Sequence, residues 1–256
     1  MSKILFDAKR GANQWSPPPE KLELGVNEIH VWRASLDADE SHLHGLEQTL
    51  SEDERERADR FYFRKDRESF IAGRGLLRTI LARYLGTDAS GLQFCYGTHG
   101  KPALAAEHST QRLCFNVSYS HGLALFAFAR RRNLGVDVEH VRPHLADESI
   151  VEQFFSPRDI AALRSLPGHI QPEAFICCWT RKEAYLKAIG KGLALRLNLF
   201  DVPVHSVRHA SLAGSIESYD GASRWSIWHL APAPNYVGAL AFEEGSCEIK
   251  CRQLVL

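Results

Sequence analysis

The sequence predicts an α+β protein built as two similar lobes in one chain, residues 1–134 and residues 135–256. Each half shows helical patterns followed by short strands that alternate apolar and polar residues, which favours helices packed on short antiparallel sheets. The regular strand–helix–strand alternation of a doubly wound sheet is absent. The length of 256 residues is enough for two modest lobes with a substantial core.

The overall composition excludes several classes of function. Lys plus Arg (31) equals Asp plus Glu (31), so no global field favours nucleic acid, and any anion site must be a local cluster. No apolar run approaches the ~18 residues of a membrane helix, and residues 1–15 lack the apolar stretch of a signal peptide. The six cysteines form no C-x-x-C pair. We therefore expect reduced thiols in a cytoplasmic protein without a membrane or nucleic-acid partner.

In the first half, turn-prone stretches separate the predicted helices and strands. Ser51 and Glu54 form a capping-box pattern that predicts a helix start, and Gly86 predicts the end of the longer helix. Arg74 and Arg78 share one face of that helix. The predicted elements are, in order, a strand at 28–32, helices at 51–60 and 66–85, and strands at 92–96, 113–118, 123–129 and 134–139.

The second half repeats this order of helices before strands. Its predicted helices cover residues 150–155, 157–166 and 172–189, and its predicted strands cover residues 224–230 and 236–242. Gly190 predicts the end of the helix at 172–189, because glycine readily adopts the left-handed conformation that terminates helices.

The segment 135–139 (GVDVE) carries two carboxylates on a short strand. Side chains alternate along a strand, so Asp137 and Glu139 face one way while Val136 and Val138 face the other. Two carboxylates on one face repel each other unless a cation or solvent lies between them. The segment therefore predicts either a cation site or a polar face exposed to water.

The helix at 172–189 carries a second group of charges. Helical spacing places Lys182 in an otherwise apolar stripe, with Glu183 and Lys187 as i and i+4 neighbours at its edge. A functional pair beside a packing surface fits this pattern, and so does a surface ion pair beside a snorkelling lysine. The stripe consists of Phe175, Trp179, Lys182, Leu186 and Ile189.

Two further segments have the polar groups of an anion site. The turn at 97–102 (GTHGKP) offers backbone N–H groups and Lys101, which suit a nucleotide phosphate or a base edge. The strand end at 116–122 (NVSYSHG) offers hydroxyl groups and an imidazole. Solvated loops explain both segments equally well, so neither is specific by itself.

As a set, and in this order, the segments are specific. GKP, FNVSYSHG, GVDVE, FFS and the pattern W-x-x-K-E-x-x-x-K-x-x-G-x-G-L resemble the Sfp-type 4′-phosphopantetheinyl transferases over about residues 50–200. The resemblance implies a pseudo-dimer of two α+β lobes, with coenzyme A in the cleft between them. It also implies a monomer that uses Mg²⁺ to transfer the phosphopantetheine arm of coenzyme A to a serine of an apo acyl or peptidyl carrier protein.

The resemblance implies roles for individual residues of the second lobe. Asp137, Glu139 and Glu183 would hold the Mg²⁺, which prefers oxygen ligands. Lys187 would contact the diphosphate, and Lys182 is a further position of the same motif assigned to coenzyme A. Glu183 is also the expected acceptor of the serine proton, directly or through a water, although the two roles compete for one carboxylate.

The residues implied to bind the nucleotide end of coenzyme A lie in the first lobe. Arg57 would reach the 3′-phosphate and Arg74 would assist it, with Arg55 and Arg60 as neighbouring alternatives for Arg57. The residues that would flank the adenine and its phosphates are Gly100, Lys101 and Pro102.

One segment departs from the family pattern. Relatives usually read N-[IV]-S-H-S-G, with serine and histidine on phosphates, whereas this chain reads N-V-S-Y-S-H-G. Either Ser118 keeps its place and Tyr119 replaces the histidine, or Ser120 and His121 supply the pair from a loop one residue longer. We favour His121, because an imidazole donates to a phosphate more effectively than a phenol.

Two rival functions fit parts of the pattern. An inactive module of this fold that only binds coenzyme A or a carrier protein would lack a carboxylate, and none of the three is missing. A different metal-dependent phosphotransferase predicts a G-x-x-x-x-G-K-[ST] motif, which is absent. The sequence therefore predicts the transferase, without indicating its carrier protein or its preference between Mg²⁺ and Mn²⁺.

Overall fold

The computed structural model of the chain describes residues 13–106, 112–142, 148–190, 196–204, 209–211, 225–243 and 245–255. Its contacts divide the chain into two compact units. The first comprises residues 15–131 and 247–255, and the second comprises the described residues of 132–246 with Asn13 and Gln14. Helices and short sheets in both units confirm the predicted α+β class. No described helix combines the length and the apolar character needed to span a membrane.

The first unit contains helices and a four-stranded sheet. Its strands are β1 (Glu28–Ser35), β2 (Phe94–Tyr96), β3 (Pro102–Leu104), β4 (Leu113–Ser120), β5 (Leu123–Arg130) and β10 (Glu248–Gln253), and its helices are α1 (Glu40–Gln48), α2 (Glu52–Asp59) and α3 (Arg64–Leu85). The sheet order is β10-β1-β5-β4, with β10 parallel to β1 and the other pairs antiparallel. Strands β2 and β3 form a separate hairpin.

Helix α3 packs its apolar face onto the sheet of the first unit. Ile71 and Leu77 of α3 lie in one buried cluster with Trp32 of β1 and with Phe126 and Phe128 of β5. Burial of each such side chain contributes roughly 1.5–3 kcal/mol. This packing holds the α3 side chains discussed below in place beside β4.

The second unit repeats the combination of one long helix and a four-stranded sheet. Its strands are β6 (Leu134–His140), β7 (His209–Ser211), β8 (Trp225–Leu230) and β9 (Tyr236–Glu243), and its helices are α4 (Glu148–Phe154), α5 (Pro157–Arg164) and α6 (Gln171–Ile189). The sheet is antiparallel throughout, in the order β6-β9-β8-β7. Phe175 and Tyr185 of α6 share a buried cluster with Ile227 of β8 and Ala239 of β9.

Three predicted helix boundaries are confirmed. Ser51 and Glu54 form the capping box at the start of α2. Gly86 and Gly190 end α3 and α6 in the left-handed conformation, with φ angles of 67° and 68°. Glycine adopts this conformation without the steric penalty of a Cβ atom, which is why the local sequence predicts these ends well.

Strand β10 belongs to the first unit, whereas the sequence predicts that residues 135–256 form one lobe. Its residues pair in parallel with β1, from Glu28 opposite Glu248 to Arg33 opposite Gln253. A parallel pairing between the two ends of a chain leaves no hairpin signal in the local sequence. Helix α1 is likewise absent from the prediction; Asp39 fixes its start by accepting from the His42 backbone N–H at 2.9 Å.

Candidate active site

Strand β6 and helix α6 approach each other closely in the second unit. A Cβ atom at Gly135 would lie 2.8 Å from the carbonyl carbon of Lys187, and closer still to backbone atoms of Ala184 and Ala188. Real Cβ atoms essentially never approach other atoms to less than 3.0 Å. Only glycine therefore allows this spacing, which brings Asp137, two residues further along the same face of β6, to α6.

Asp137 and Lys187 form an ion pair between these two elements. Lys187 Nζ donates to Asp137 Oδ1 at 2.7 Å, and the side chains are 5% exposed for Asp137 and 30% exposed for Lys187. Glu183 lies one helical turn before Lys187, and Glu139 follows Asp137 on the same face of β6. The structure thus brings together the four charged residues that the sequence singles out on this strand and helix.

The electrostatics of Glu183 reflect this setting. Burial, followed by the negative charge of Asp137, raises the pKa of Glu183; Lys187 lowers that pKa, and Glu139 raises it. The Glu183 Oε1 atom is buried and accepts no hydrogen bond from any described residue. A buried carboxylate without a donor is unfavourable when ionised, unless a cation compensates its charge.

The oxygen atoms of Asp137, Glu139 and Glu183 have the donor chemistry that a hard divalent cation requires. Mg²⁺ binds one or two carboxylates and keeps positions for water and phosphate, and it would give Glu183 Oε1 the partner that this atom lacks among the described residues. Within the described parts of the chain, no three His, Cys, Asp or Glu side chains are already arranged as a metal site. The donor set fits Mg²⁺, and in the structure the Lys187 ammonium pairs with Asp137.

Lys182 lies in a structural environment, although the family resemblance implies that it binds coenzyme A. Its side chain is fully buried and pairs with Asp159 of α5 at 2.7 Å. Its ammonium also donates to the carbonyl oxygens of Leu197 and Phe200, at 2.7 Å and 2.5 Å. Three oxygen partners occupy all three N–H groups of an ammonium. Lys182 therefore ties α6 to its neighbours in the fold, and we remove it from the proposed ligands of coenzyme A.

In the first unit, a buried carboxylate joins two arginines of α3. Glu54 Oε2 accepts from Arg78 Nε at 2.5 Å, and Glu54 Oε1 lies 3.3 Å from Arg74 Nε. Arg78 also donates to the carbonyl oxygens of Ala89 and Leu92, which makes its role structural. Arg74 is 9% exposed and keeps a buried Nη1 atom without a hydrogen-bond partner among the described residues. Two positive charges against one negative charge suit a neighbouring anion.

Arg57 and Tyr96 lie close to Arg74. Arg57 is exposed, and its guanidinium lies over the ring of Phe70, 5.2 Å from the ring centroid. Phe70 precedes Arg74 by one turn of α3, so the two basic side chains are neighbours. Arg74 Nη2 donates to the Tyr96 hydroxyl at 3.4 Å. The side chains of Arg57 and Arg74 and the rings of Phe70 and Tyr96 therefore lie together and form the arginine cluster of the first unit.

The turn of the β2–β3 hairpin belongs to the same neighbourhood. Gly97 N donates to the carbonyl oxygen of Lys101 and Gly100 N to that of Gly97, each at 2.9 Å. Gly100 has a positive φ of 77°, which favours glycine at this position. Pro102 pairs with Tyr96 across the hairpin, and the Tyr96 hydroxyl accepts from Arg74, so the turn that contains Lys101 lies near the arginine cluster of the first unit.

Strand β4 continues two residues beyond its predicted end, to Ser120. Alternation places the buried side chains of Ser118 and Ser120 on one face of the strand and Tyr119 on the other. The Tyr119 ring lies over α3, where a Cβ atom at Gly73 would be 2.9 Å from it. Although 44% of Tyr119 is exposed, partial desolvation against α3 raises the pKa of its hydroxyl to about 12, and the positive charge of Arg74 opposes that rise. The Tyr119 hydroxyl therefore lies within the field of Arg74.

His121 lies in the turn that joins β4 to β5. His121 and Gly122 form a two-residue turn with positive φ angles of 46° and 82°, as hairpins of this type require. Ser120 pairs directly with Leu123, so the turn is tight and contains no additional residue. The Ser120 Oγ atom lies 3.2 Å from His121 Nδ1. His121 therefore lies in the turn beside Ser120, while Tyr119 contacts α3 next to Arg74.

Comparison with known proteins relates these two groups of residues to one family. A sequence model of the 4′-phosphopantetheinyl transferase superfamily matches residues 133–241, and one of the 4′-phosphopantetheinyl transferase N-terminal region matches residues 32–130. The chain is 42% identical to the 4′-phosphopantetheinyl transferase HetI of Nostoc, over 89% of this chain and 92% of that protein. The chain belongs to the 4′-phosphopantetheinyl transferase superfamily.

Two further 4′-phosphopantetheinyl transferases are similar over a smaller part of the chain. A putative member from Synechocystis is 35% identical over 60% of this chain and 62% of its own length. Sfp of Bacillus subtilis is 29% identical over 64% of this chain and 70% of its own length. These relatives confirm the resemblance to Sfp-type 4′-phosphopantetheinyl transferases that the motifs indicate.

The two family matches cover the two groups of candidate residues separately. The superfamily match includes the carboxylates and lysines of β6 and α6, and the N-terminal match includes the arginine cluster, the hairpin turn and β4. The sequence prediction gives no site role to three residues of these surroundings: Gly135, Tyr96 and Asp159. For Gly135 a signal exists, because a glycine inside a strand often marks a close backbone approach.

Gly135→Ala is expected to push β6 and α6 apart and to lower the free energy of unfolding by about 1–3 kcal/mol. Transferase activity should fall as well, because Asp137 loses its spacing to α6. Denaturant unfolding and initial rates measure the two effects. Gly168→Ala is the matched control, since no atom lies within 4 Å of a Cβ atom there. Wild-type stability and activity in Gly135→Ala would contradict the spacing argument.

Proposed function

We propose that the chain transfers the phosphopantetheine arm of coenzyme A to a serine of an apo acyl or peptidyl carrier protein and releases 3′,5′-ADP. The observation that carries the proposal is the cluster of Asp137, Glu183 and Lys187 between β6 and α6. Its support is the relationship to HetI over nearly the whole length of both chains. The proposal includes a cytoplasmic monomer that binds neither nucleic acid nor membranes.

Asp137, Glu139 and Glu183 are the proposed Mg²⁺ ligands. Bound Mg²⁺ supplies electrostatic stabilisation of the diphosphate and of the leaving 3′,5′-ADP. The raised pKa of Glu183 and its buried Oε1 atom support this assignment, because the ionised carboxylate needs a cation in this position.

Lys187 and Glu183 are the residues of α6 proposed to act on the reacting groups. The Lys187 side chain is partly exposed, so its ammonium can donate to a diphosphate oxygen and stabilise negative charge there. Glu183 is the proposed acceptor of the serine proton, directly or through a water. A carboxylate with a raised pKa holds a proton more readily than an ordinary one, which supports that role.

The arginine cluster of the first unit is proposed to bind the nucleotide end of coenzyme A. Arg57 is exposed, and Arg74 has an Nη1 atom without a partner among the described residues, so both can donate to the 3′-phosphate. The proposed contacts of the adenine and its phosphates are Gly100, Lys101 and Pro102.

Tyr119, rather than His121, is proposed to take the place of the family histidine. Donor strength alone favours His121, but Tyr119 lies within the field of Arg74, whereas His121 contacts Ser120 in the turn. A phosphate held by Arg74 would lie near the phenol, because the Tyr119 hydroxyl lies beside Gly73, the residue before Arg74. Ser118 and Ser120 stay candidates for the diphosphate.

Tyr119→Phe is expected to raise the KM for coenzyme A about tenfold or more, because a hydrogen bond to a charged group contributes about 1.5–3 kcal/mol. The variant should also discriminate less between coenzyme A and 3′-dephospho-coenzyme A, since the lost contact is to the 3′-phosphate. His121→Ala should leave both quantities nearly unchanged. The reverse result would return the assignment to His121, and two negligible effects would remove both side chains from phosphate binding.

The activity itself is tested by the intact mass of several purified apo-carrier proteins after incubation with the protein and coenzyme A. Carriers of fatty acid, polyketide and peptide synthesis should be compared. At least one should gain the mass of one phosphopantetheine group when Mg²⁺ is present and stay unmodified with EDTA. Unmodified carriers throughout, with a correctly folded protein, would contradict the proposed function.

A further inference from the structure

The Asp137 carboxylate has two competing partners. Its Oδ1 atom accepts from Lys187 Nζ at 2.7 Å, and its side chain is 5% exposed. The proposed function gives the same carboxylate to Mg²⁺, whose ligand oxygens lie at about 2.0–2.1 Å. An ammonium at hydrogen-bond distance from such an oxygen would face a divalent cation within a few ångströms. Like charges at that separation repel strongly in a buried site.

Of the two residues in the ion pair between Asp137 and Lys187, Lys187 is the one that can move. Its side chain is 30% exposed, it lies in the last turn of α6, and four methylene groups make it flexible. Asp137 is held on both sides, because β6 pairs with β9 at Ala239 and contacts α6 closely at Gly135. The ion pair therefore opens by movement of the lysine.

Charge balance favours such an exchange. Besides burial, Asp137 and Glu139 each raise the pKa of Glu183, so the three carboxylates repel one another, and a divalent cation would relieve that repulsion better than one ammonium. Lys187 also lowers the pKa of Glu183, so its field reaches a second carboxylate. With a divalent cation on the carboxylates, the ammonium is no longer needed there and can bind an anion.

We propose that Lys187 exchanges partners: it neutralises Asp137 in the free protein and moves to the diphosphate of coenzyme A when a divalent cation occupies the carboxylates. This inference rests on the proposed function. Lys187 then weakens cation binding in the free protein. Once the diphosphate is present and holds the ammonium, Lys187 no longer opposes the cation and cation binding is strengthened. Because the coupling between two binding events is reciprocal, the diphosphate also strengthens cation binding.

The test measures Mn²⁺ binding to the full-length protein without coenzyme A, using the electron paramagnetic resonance signal of the free ion. Lys187→Met removes the competitor and is expected to lower the Mn²⁺ Kd about fivefold or more, a typical size for coupled sites. Coenzyme A should tighten Mn²⁺ binding to the wild type and do so less in Lys187→Met. Lys187→Arg, which keeps the charge, should resemble the wild type.

Lys250→Met controls for the change in net charge, since Lys250 pairs with Glu28 in the first unit. An unchanged or weaker Mn²⁺ affinity in Lys187→Met would overturn the exchange while leaving the metal assignment intact. If Lys187→Met does not fold, Lys187→Gln supplies the same comparison. A wild-type protein that does not bind Mn²⁺ would overturn the metal assignment of the proposed function, and the exchange with it.

Discussion

Asp137→Asn is expected to lower turnover by about three orders of magnitude, which corresponds to about 4 kcal/mol of transition-state stabilisation. The change keeps the shape of the side chain and removes its charge. Residue 137 should then bind both the proposed metal and the Lys187 ammonium more weakly. The free energy of unfolding should also fall, by about 1.5–3 kcal/mol, because the hydrogen bond from the Lys187 ammonium loses its charged acceptor.

Asp201→Asn is the matched control for Asp137→Asn in the same unit. Asp201 pairs with Arg158, whose side chain is 88% exposed, and such surface pairs contribute little to stability. Steady-state rates and urea unfolding should therefore match the wild type in this control. A turnover within tenfold of wild type in Asp137→Asn would exclude Asp137 from the site.

Glu183→Gln is expected to lower turnover by a similar factor but to stabilise the fold at neutral pH, by about 0.5–2 kcal/mol. Turnover falls because a proposed ligand and proton acceptor is lost. Stability rises because burial and the neighbouring charge of Asp137 raise the pKa of Glu183, so its ionised form opposes folding. Both Asp137→Asn and Glu183→Gln should therefore lower turnover, but Asp137→Asn should destabilise the fold and Glu183→Gln should stabilise it.

The stability gain of Glu183→Gln should depend on pH with a definite sign. A carboxyl group whose pKa is raised in the folded state stabilises the wild type when the pH is below 4.5, the ordinary pKa of glutamate. This contribution is lost as the pH rises through the raised pKa. The gain in the variant should consequently be largest near neutral pH and vanish below about pH 4.5. Urea unfolding at several pH values measures it.

Glu173→Gln is the control on the same helix. Burial also raises the pKa of Glu173, so its replacement should produce a stability gain of the same sign, with normal turnover. A loss of turnover in Glu173→Gln would show that the rate effect comes from α6 as a whole. A Glu183→Gln variant that is less stable than wild type at neutral pH would contradict the electrostatic account.

The candidate site residues whose mutual positions follow from the sequence are those set by local periodicity. Asp137 and Glu139 share a strand face, and Glu183 and Lys187 are one helical turn apart, so their relations follow from backbone geometry. The contact between Asp137 and Lys187 depends on how closely β6 approaches α6, which the glycine at position 135 determines. That distance is a tertiary property and cannot be derived from spacing along either element.

Lys182 and Tyr119 illustrate what sequence reasoning could not determine. A lysine in an apolar stripe indicates an unusual environment, but its partner Asp159 lies 23 residues away on another helix. The choice between Tyr119 and His121 depends on where β4 ends and which face meets α3. Motif order identifies the family correctly because it does not require these three-dimensional contacts.

Transfer of phosphopantetheine by the carboxylate cluster of β6 and α6 can be followed through both of its products. The most direct measurement follows the intact mass of one apo-carrier protein and the release of 3′,5′-ADP in the same reaction with coenzyme A and Mg²⁺. We expect one phosphopantetheine group on a single carrier serine for each 3′,5′-ADP released. With Asp137→Asn, both products should form much more slowly than with the wild type. An unmodified carrier, or an Asp137→Asn variant that loads the carrier as fast as wild type, would contradict this expectation.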